Sequence, residues 1–427
     1  MDNIGKIAIK RSLTKITEDK VIWILTTALF SALTIFDTNS YISYILFGLT
    51  ALIFIIIIFN NHYKFILQFH RFQASVLVFA AYCAVTSFWA RNSSAAVEKA
   101  VTIVEILICM TVLYSYFSTK ESVKELLDSI RWAGYVVTIY AIFSYGITTI
   151  RLTLEAEERV GNSFANINSI AMLAAISLVL SVFNLAYYKF TWTILFSVPE
   201  IIMIAASGSR KSLIILGLGI VLVLLYRYKN RNIVKTILFY SLLATILFVA
   251  IHFLSALPMF AGINERMKGL IAIFTGTGEV EHSAWLRQQY MLAGLEQFKK
   301  TPILGVGIAN SNYILRPLFG KDTYLHNNFV ELLACGGVIG FGIYYYVMLW
   351  PLYKIWKNWK FGDSATIAVI ILIFVLLLMD YGMVSYYSKG TYFYFMVFYL
   401  QVKILLRNAH ASVLDKNERH CKVKMKK

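Results

Sequence analysis

The sequence predicts an all-α polytopic membrane protein of about twelve transmembrane helices, with one long extracytoplasmic loop containing short helices. Three observations predict it. Of the 427 residues, 59% are hydrophobic and only 15% are charged, against about 25% charged in an ordinary soluble domain, which excludes a soluble globular protein. The apolar residues fall in runs such as Tyr41 to Phe59 and Ala365 to Met379, each close to the roughly 20 residues a helix needs to cross the hydrocarbon core. Finally, Lys and Arg are distributed unevenly among the segments between those runs.

Hydropathy places the spans at approximately 21–36, 41–59, 72–90, 99–117, 130–150, 168–184, 190–206, 212–226, 234–254, 326–350, 364–383 and 390–406. The chain then divides into a cytoplasmic N-terminal tail (1–20), helices 1–9 (21–254), a long extracytoplasmic loop (255–325), helices 10–12 (326–406) and a basic cytoplasmic C-terminal tail (407–427). About 20 polar residues precede the first run and no small-residue cleavage site follows it, so it reads as a retained helix. With the N-terminus inside, cytoplasmic segments carry 26 of the 40 Lys and Arg, short outer loops 7 and the long loop 7; both termini are therefore expected in the cytoplasm. The net charge of +17 is then topology signal plus attraction to anionic lipid, as at Lys422, Lys424, Lys426 and Lys427. No recognition motif points to nucleic acid. Cys83, Cys109 and Cys335 lie in or beside apolar runs and Cys421 in the tail, which gives no disulfide framework. No His, Cys and carboxylate spacing reads as a metal site, and there is no P-loop or dinucleotide fingerprint.

The long loop is the one large hydrophilic insertion, so chemistry that needs a polar loop is expected there. Within it, Ala284 to Lys300 has Met291, Leu295 and Phe298 at helical spacing and is stopped by Pro302, which predicts a helix along the membrane surface. Charges inside membrane helices are costly. Glu105, Glu200, Asp380 and Glu331 are expected near the outer ends of their helices, Glu105 about 10 Å in, where they serve function or pair with arginines to hold the bundle. Arg151, Arg159, Arg210, Arg266, Arg287 and Arg316 all fall on the outer face, where cations should be depleted. A guanidinium fork there suits a phosphate partner. His326, at the junction of the long loop and the next helix, is placed to take a proton from an attacking hydroxyl.

The ordered segments Arg159-Val160-Gly161-Asn162-Ser163-Phe164-Ala165-Asn166-Ile167-Asn168, Ser207-Gly208-Ser209-Arg210-Lys211-Ser212, Thr301-Pro302-Ile303-Leu304-Gly305-Val306-Gly307 and His326-Asn327-Asn328-Phe329-Val330-Glu331-Leu332-Leu333, followed by Gly336-Gly337-Val338-Ile339-Gly340, resemble those of the O-antigen ligase and Wzy-type polymerase superfamily over about 159–342. The resemblance implies a GT-C-like membrane glycosyltransferase of the bacterial cytoplasmic membrane, with its active site on the outer face. Its substrates would be an undecaprenyl-diphosphate-linked glycan donor and a hydroxyl acceptor, and it would need no metal or cofactor. Arg210 and Arg287 match the arginines that hold the diphosphate, and His326 matches the histidine that assists the acceptor. Arg159, Arg266, Asn327 and Glu331 are further substrate-binding candidates. Lys211 departs from the family pattern, where a small residue is common. Gly305, Gly307, Gly336, Gly337 and Gly340 read as allowing close backbone packing.

Three functions stay open at this stage. A polymerase of O-antigen or capsular repeat units is favoured over a ligase that hands finished glycan to lipid A core, because no large extra soluble domain is present for a protein acceptor. A flippase for the same lipid-linked glycan is the reading from another class, and polar groups at the bilayer midplane would favour it. Membrane lipids, a flippase and chain-length regulators are the expected partners.

Overall fold

The computed structural model describes residues 2–36, 41–60, 65–155, 166–188, 195–228 and 282–424. Among them all regular structure is helical. The helices are α1 (Asp2–Ile35), α2 (Ile42–Asn60), α3 (Arg71–Val85), α4 (Ser93–Phe117), α5 (Lys124–Tyr145), α6 (Ile147–Glu155), α7 (Ile167–Tyr187), α8 (Ser197–Ser207), α9 (Arg210–Tyr228), α10 (His282–Lys300), α11 (Asn312–Phe319), α12 (Asn328–Lys357), α13 (Ser364–Gly382) and α14 (Lys389–Lys424). The expected span 234–254 and the candidates Arg159 and Arg266 lie outside the described residues.

Seven of these helices are long and apolar enough to cross a membrane: α2, α3 with its 3-10 extension to Phe88, α4, α5, α7, α12 and α13. They coincide with seven of the expected spans. Asn92, Asn166 and Asn327 start α4, α7 and α12 by accepting the N–H of Ala95, Asn168 and Val330, each at 3.0 Å, which satisfies donors that the helix itself leaves open. Asp363 does the same for Thr366 at 3.0 Å ahead of α13. α7, apolar on every side, is correspondingly central: it packs on α5, α8 and α9. The expected span 130–150 stops early, because Gly146 takes φ +82° and turns the chain into α6.

Two carboxylates sit deeper than expected. Glu105 is the middle residue of α4, where it accepts the Ser43 hydroxyl at 3.0 Å. Glu200, fully buried on α8, faces Gly134 and Ser177, and Ser177 is the middle residue of α7. A Cβ at Gly134 would overlap Ser177, so the glycine is what lets α5, α7 and α8 meet there. Arg131 lies near enough to act electrostatically on Glu200. Both carboxylates thus have polar neighbours within the bundle.

The expected helix 326–350 is broken. Gly337 at φ +62° interrupts α12, and the turn segment 302–307 lies against the break. Val306 and Gly307 donate to the carbonyls of Ala334 and Cys335 at 3.0 and 2.9 Å, Val338 donates to Pro302 at 2.9 Å, and the Tyr82 hydroxyl donates to Gly336 at 2.5 Å. The break therefore leaves these backbone groups partnered, as non-helical backbone inside a membrane protein requires. A Cβ at Gly305 would overlap the backbone of Cys335, and one at Gly337 that of Ile303. These glycines serve close packing, as do Gly307 against Ala90 and Gly340 against Tyr82.

Further bonds collect chain segments at one end of the bundle. Ile308 donates to Thr86 at 3.2 Å, Ala309 to the Tyr386 hydroxyl at 3.2 Å, and Asn310 accepts the N–H of Asn92 at 2.8 Å.

Candidate active site

At this end α10 packs along α12, and their contact is built by residues one helical turn apart. Arg287, Tyr290, Met291 and Gly294 share one face of α10. A Cβ at Gly294 would overlap Leu325 and Val330, so the glycine lets the helix settle onto the loop that precedes α12. Tyr290, Ile314, Leu315, Leu325, Val330 and Ala334 form a small apolar core under that loop. Of the apolar residues expected at helical spacing on α10, Met291 packs against this core and Leu295 is exposed.

His326 sits at the tip of the loop in the left-handed region, φ +57°, a conformation that non-glycine residues adopt only when the surroundings hold them there. The surroundings are explicit. On one side Leu325 donates to Glu331 Oε2 at 2.8 Å. On the other, the Asn327 amide accepts from Val330 and donates to the Tyr381 carbonyl at 3.0 Å and to Met291 Sδ at 3.4 Å. The imidazole lies between Tyr324, ring centroids 4.2 Å apart, and Tyr290, stacked at 6.1 Å. Asn327 and Glu331, expected to bind substrate, are 3% and 1% exposed, and they spend polar atoms holding this loop.

The cations converge from two other elements. After the left-handed Gly208, at φ +58°, the chain starts α9 with Arg210 and Lys211. The Lys211 ammonium donates to the carbonyl of Gly382, next to the Tyr381 carbonyl that holds Asn327. Arg287 acts electrostatically on Tyr324 and His326, and Lys211 on His326. Burial first, then Arg287 and Lys211, lower the His326 pKa from 6.5 to about 4, so the ring is a neutral imidazole at physiological pH. Burial likewise raises the pKa of Tyr324.

Of the expected residues, the structure brings Arg287, His326, Asn327 and Glu331 together. Arg210, half-buried, adjoins them in sequence through Lys211. Arg316 is exposed and 3.7 Å from Asp322, and Arg151 is exposed on α6.

Three contributors were not legible as such. Lys211 read as a departure from a pattern, and Tyr290 and Tyr324 were not singled out. For Tyr290 the signal was its spacing of three from Arg287. Behind the loop, Asp380 accepts from Ser385, from Tyr345 at 2.9 Å and from Asn328 at 3.3 Å, while Asn328 accepts the N–H of Ser385 at 3.0 Å. This buried network joins the start of α12 to the end of α13 and so fixes Tyr381 and Gly382.

The arrangement offers cations beside an uncharged base, which suits an anionic leaving group and a hydroxyl nucleophile. A comparison with curated proteins finds no match to the chain. Residues 192–345, which carry the Arg210 turn, the Arg287 helix and the His326 loop, match the family model described as O-antigen ligase, the superfamily that the motifs resemble.

Proposed function

We propose that the protein is a glycosyltransferase that takes a glycan from a polyprenyl diphosphate at the outer membrane face and passes it to an acceptor hydroxyl, working as a Wzy-type polymerase of repeat units. The observation that carries this reading is the convergence of Arg287 and Lys211 on a neutral His326. As the bond to the anomeric carbon breaks, the sugar becomes oxocarbenium-like and negative charge grows on the diphosphate. Cations already in place stabilise that charge more than the ground state. In this reading Arg287 and Arg210 clamp the diphosphate, with Arg159 and Arg266 as further contacts. His326 takes the acceptor proton as the hydroxyl attacks from the face opposite the leaving group, and inversion follows. Asn327 and Glu331 are positioning residues.

The test is deletion in the native host, with the glycan sized on a gel and an Arg287→Lys complement alongside. A polymerase leaves single repeat units without a ladder. Long polymer stranded on its lipid carrier would instead identify a ligase. An unchanged, correctly attached ladder would overturn the transferase reading. A flippase reading draws on the depth of Glu105, the middle residue of α4, and of Glu200, which faces the middle of α7, although Glu105 already accepts a hydrogen bond from Ser43.

A further inference from the structure

A second concentration of cations lies at the opposite end of the bundle. From Asn328 beside the candidate active site, past the break at Gly337, to Trp350, α12 covers at most about 33 Å, comparable to the thickness of a hydrocarbon core. There α14 presents Tyr399, Lys403, Arg407 and His410 on one face, by their spacing of four, four and three. Together with His70, Arg71, Tyr114 and Trp350 they line a cavity of about 500 Å³. His70 and Arg71 also line a second cavity of about 830 Å³, which continues along α3 and α12 past Ala74, Val78 and Tyr346. Among the described residues no carboxylate lines either cavity.

Arg71 and Lys403 each meet neutral groups. Arg71 donates to the Tyr346 hydroxyl at 3.1 Å and lies over the Trp350 ring at 4.8 Å. Lys403 donates to the Gln68 side-chain carbonyl at 2.8 Å and lies 6.0 Å from the Tyr114 ring. Among the described residues none of Arg71, Lys403 and Arg407 forms an ion pair. Like charges gathered without a counter-ion repel one another, and an anion that enters relieves all of them at once.

We propose that this is a binding site for an anionic phospholipid of the leaflet opposite the candidate active site. Arg71, Lys403 and Arg407 take the phosphate, and an acyl chain follows the groove between α3 and α12. A lipid is favoured over free phosphate because the basic cavity opens into an apolar groove on the lipid-facing wall, where Val78 is 56% and Tyr346 46% exposed. Basic pockets between membrane helices are suited to such headgroups.

Trp350 supplies the probe. The full chain would be reconstituted in phosphatidylcholine nanodiscs holding a minority of brominated phosphatidylglycerol or, as control, brominated phosphatidylcholine. Brominated phosphatidylglycerol should quench fluorescence more than the control, and the excess should disappear in Trp350→Phe. Preference should fall by roughly fivefold for each cation removed in Arg71→Gln, Lys403→Gln and Arg407→Gln. It should also weaken as salt is raised on the unaltered protein, a measurement that needs no variant to fold. Equal quenching by both lipids, or a preference indifferent to salt or to the substitutions, would overturn the proposal. Full displacement of the quenching by inorganic phosphate would overturn the lipid assignment.

Discussion

The imidazole of His326 is held by its backbone and lies between two aromatic rings, while burial and two nearby cations set its protonation; the backbone and the protonation each make a prediction. The backbone sits at φ +57°, which asparagine tolerates better than alanine. Both His326→Asn and His326→Ala should abolish transfer, but the alanine variant should be the less stable by about 1 kcal/mol, read from thermal unfolding in detergent. Burial first, and then the two cations, keep the ring unprotonated down to about pH 4 instead of 6.5. Activity should therefore persist through the acid range where an ordinary histidine fails. Stability follows the same sign: between pH 6.5 and about 4 the unfolded chain binds the proton and the folded chain does not, so stability is lost as pH falls through that window. Arg287→Gln should move the acid limb of the rate profile upward, since removing a cation favours imidazolium. Arg287→Lys keeps charge but loses the fork, and about 1.5–3 kcal/mol, or roughly 10- to 100-fold in kcat/KM, should go with it. Arg287 and His326 were legible because their motifs are local. Lys211 was not, because its role depends on Gly382, which is 171 residues away.

At the level of elements, the turn segment 302–307 and the broken helix α12 depend on glycines for different reasons at different places. Gly305→Ala and Gly337→Ala would drive a Cβ into backbone and also strain a positive φ, so each should cost several kcal/mol, or about 2–5 by analogy with other severe core changes. Gly320, at φ +65° with nothing near its Cβ position, pays only the conformational penalty, and Gly320→Ala should lose about 1 kcal/mol. Thermal unfolding of the three variants side by side checks this, and equal losses would mean that close approach contributes nothing. Packing glycines and a helix ended before Pro302 were legible in the sequence. The break in α12 was not, because a run of apolar residues through Gly336 and Gly337 has the same hydropathy whether the helix continues or opens. Nor could periodicity choose between the two adjacent faces of α10 that meet at Met291.

For the whole molecule, seven of the twelve expected spans coincide with helices long and apolar enough to cross a membrane, because burial in lipid and burial in protein make the same demand on composition. Hydropathy failed on depth: Glu105 is the middle residue of α4, which starts six residues before the expected boundary, and Glu200, in the first turn of the 11-residue α8, faces the middle of α7. Exposed positions at the two ends allow the transmembrane arrangement to be checked directly. With Cys421 replaced by Ser, a membrane-impermeant maleimide should label Gly320→Cys in intact cells and His410→Cys only after lysis, while native Cys83, Cys109 and Cys335 stay unreactive because they are buried. Labelling of both engineered positions from one side would contradict the arrangement. The hydrogen bonds of segment 302–307 onto α12 carry one more consequence, which concerns the order of synthesis. That segment and the residues it pairs with, 334–338, emerge from the ribosome within a few dozen residues of each other, so the His326 loop and its small apolar core can form early. The carbonyls of Tyr381 and Gly382, which receive Asn327 and Lys211, arrive only with the end of α13. A nascent chain halted before α13 would carry the loop but not the gathered charges, so the site is completed by one of the last helices made.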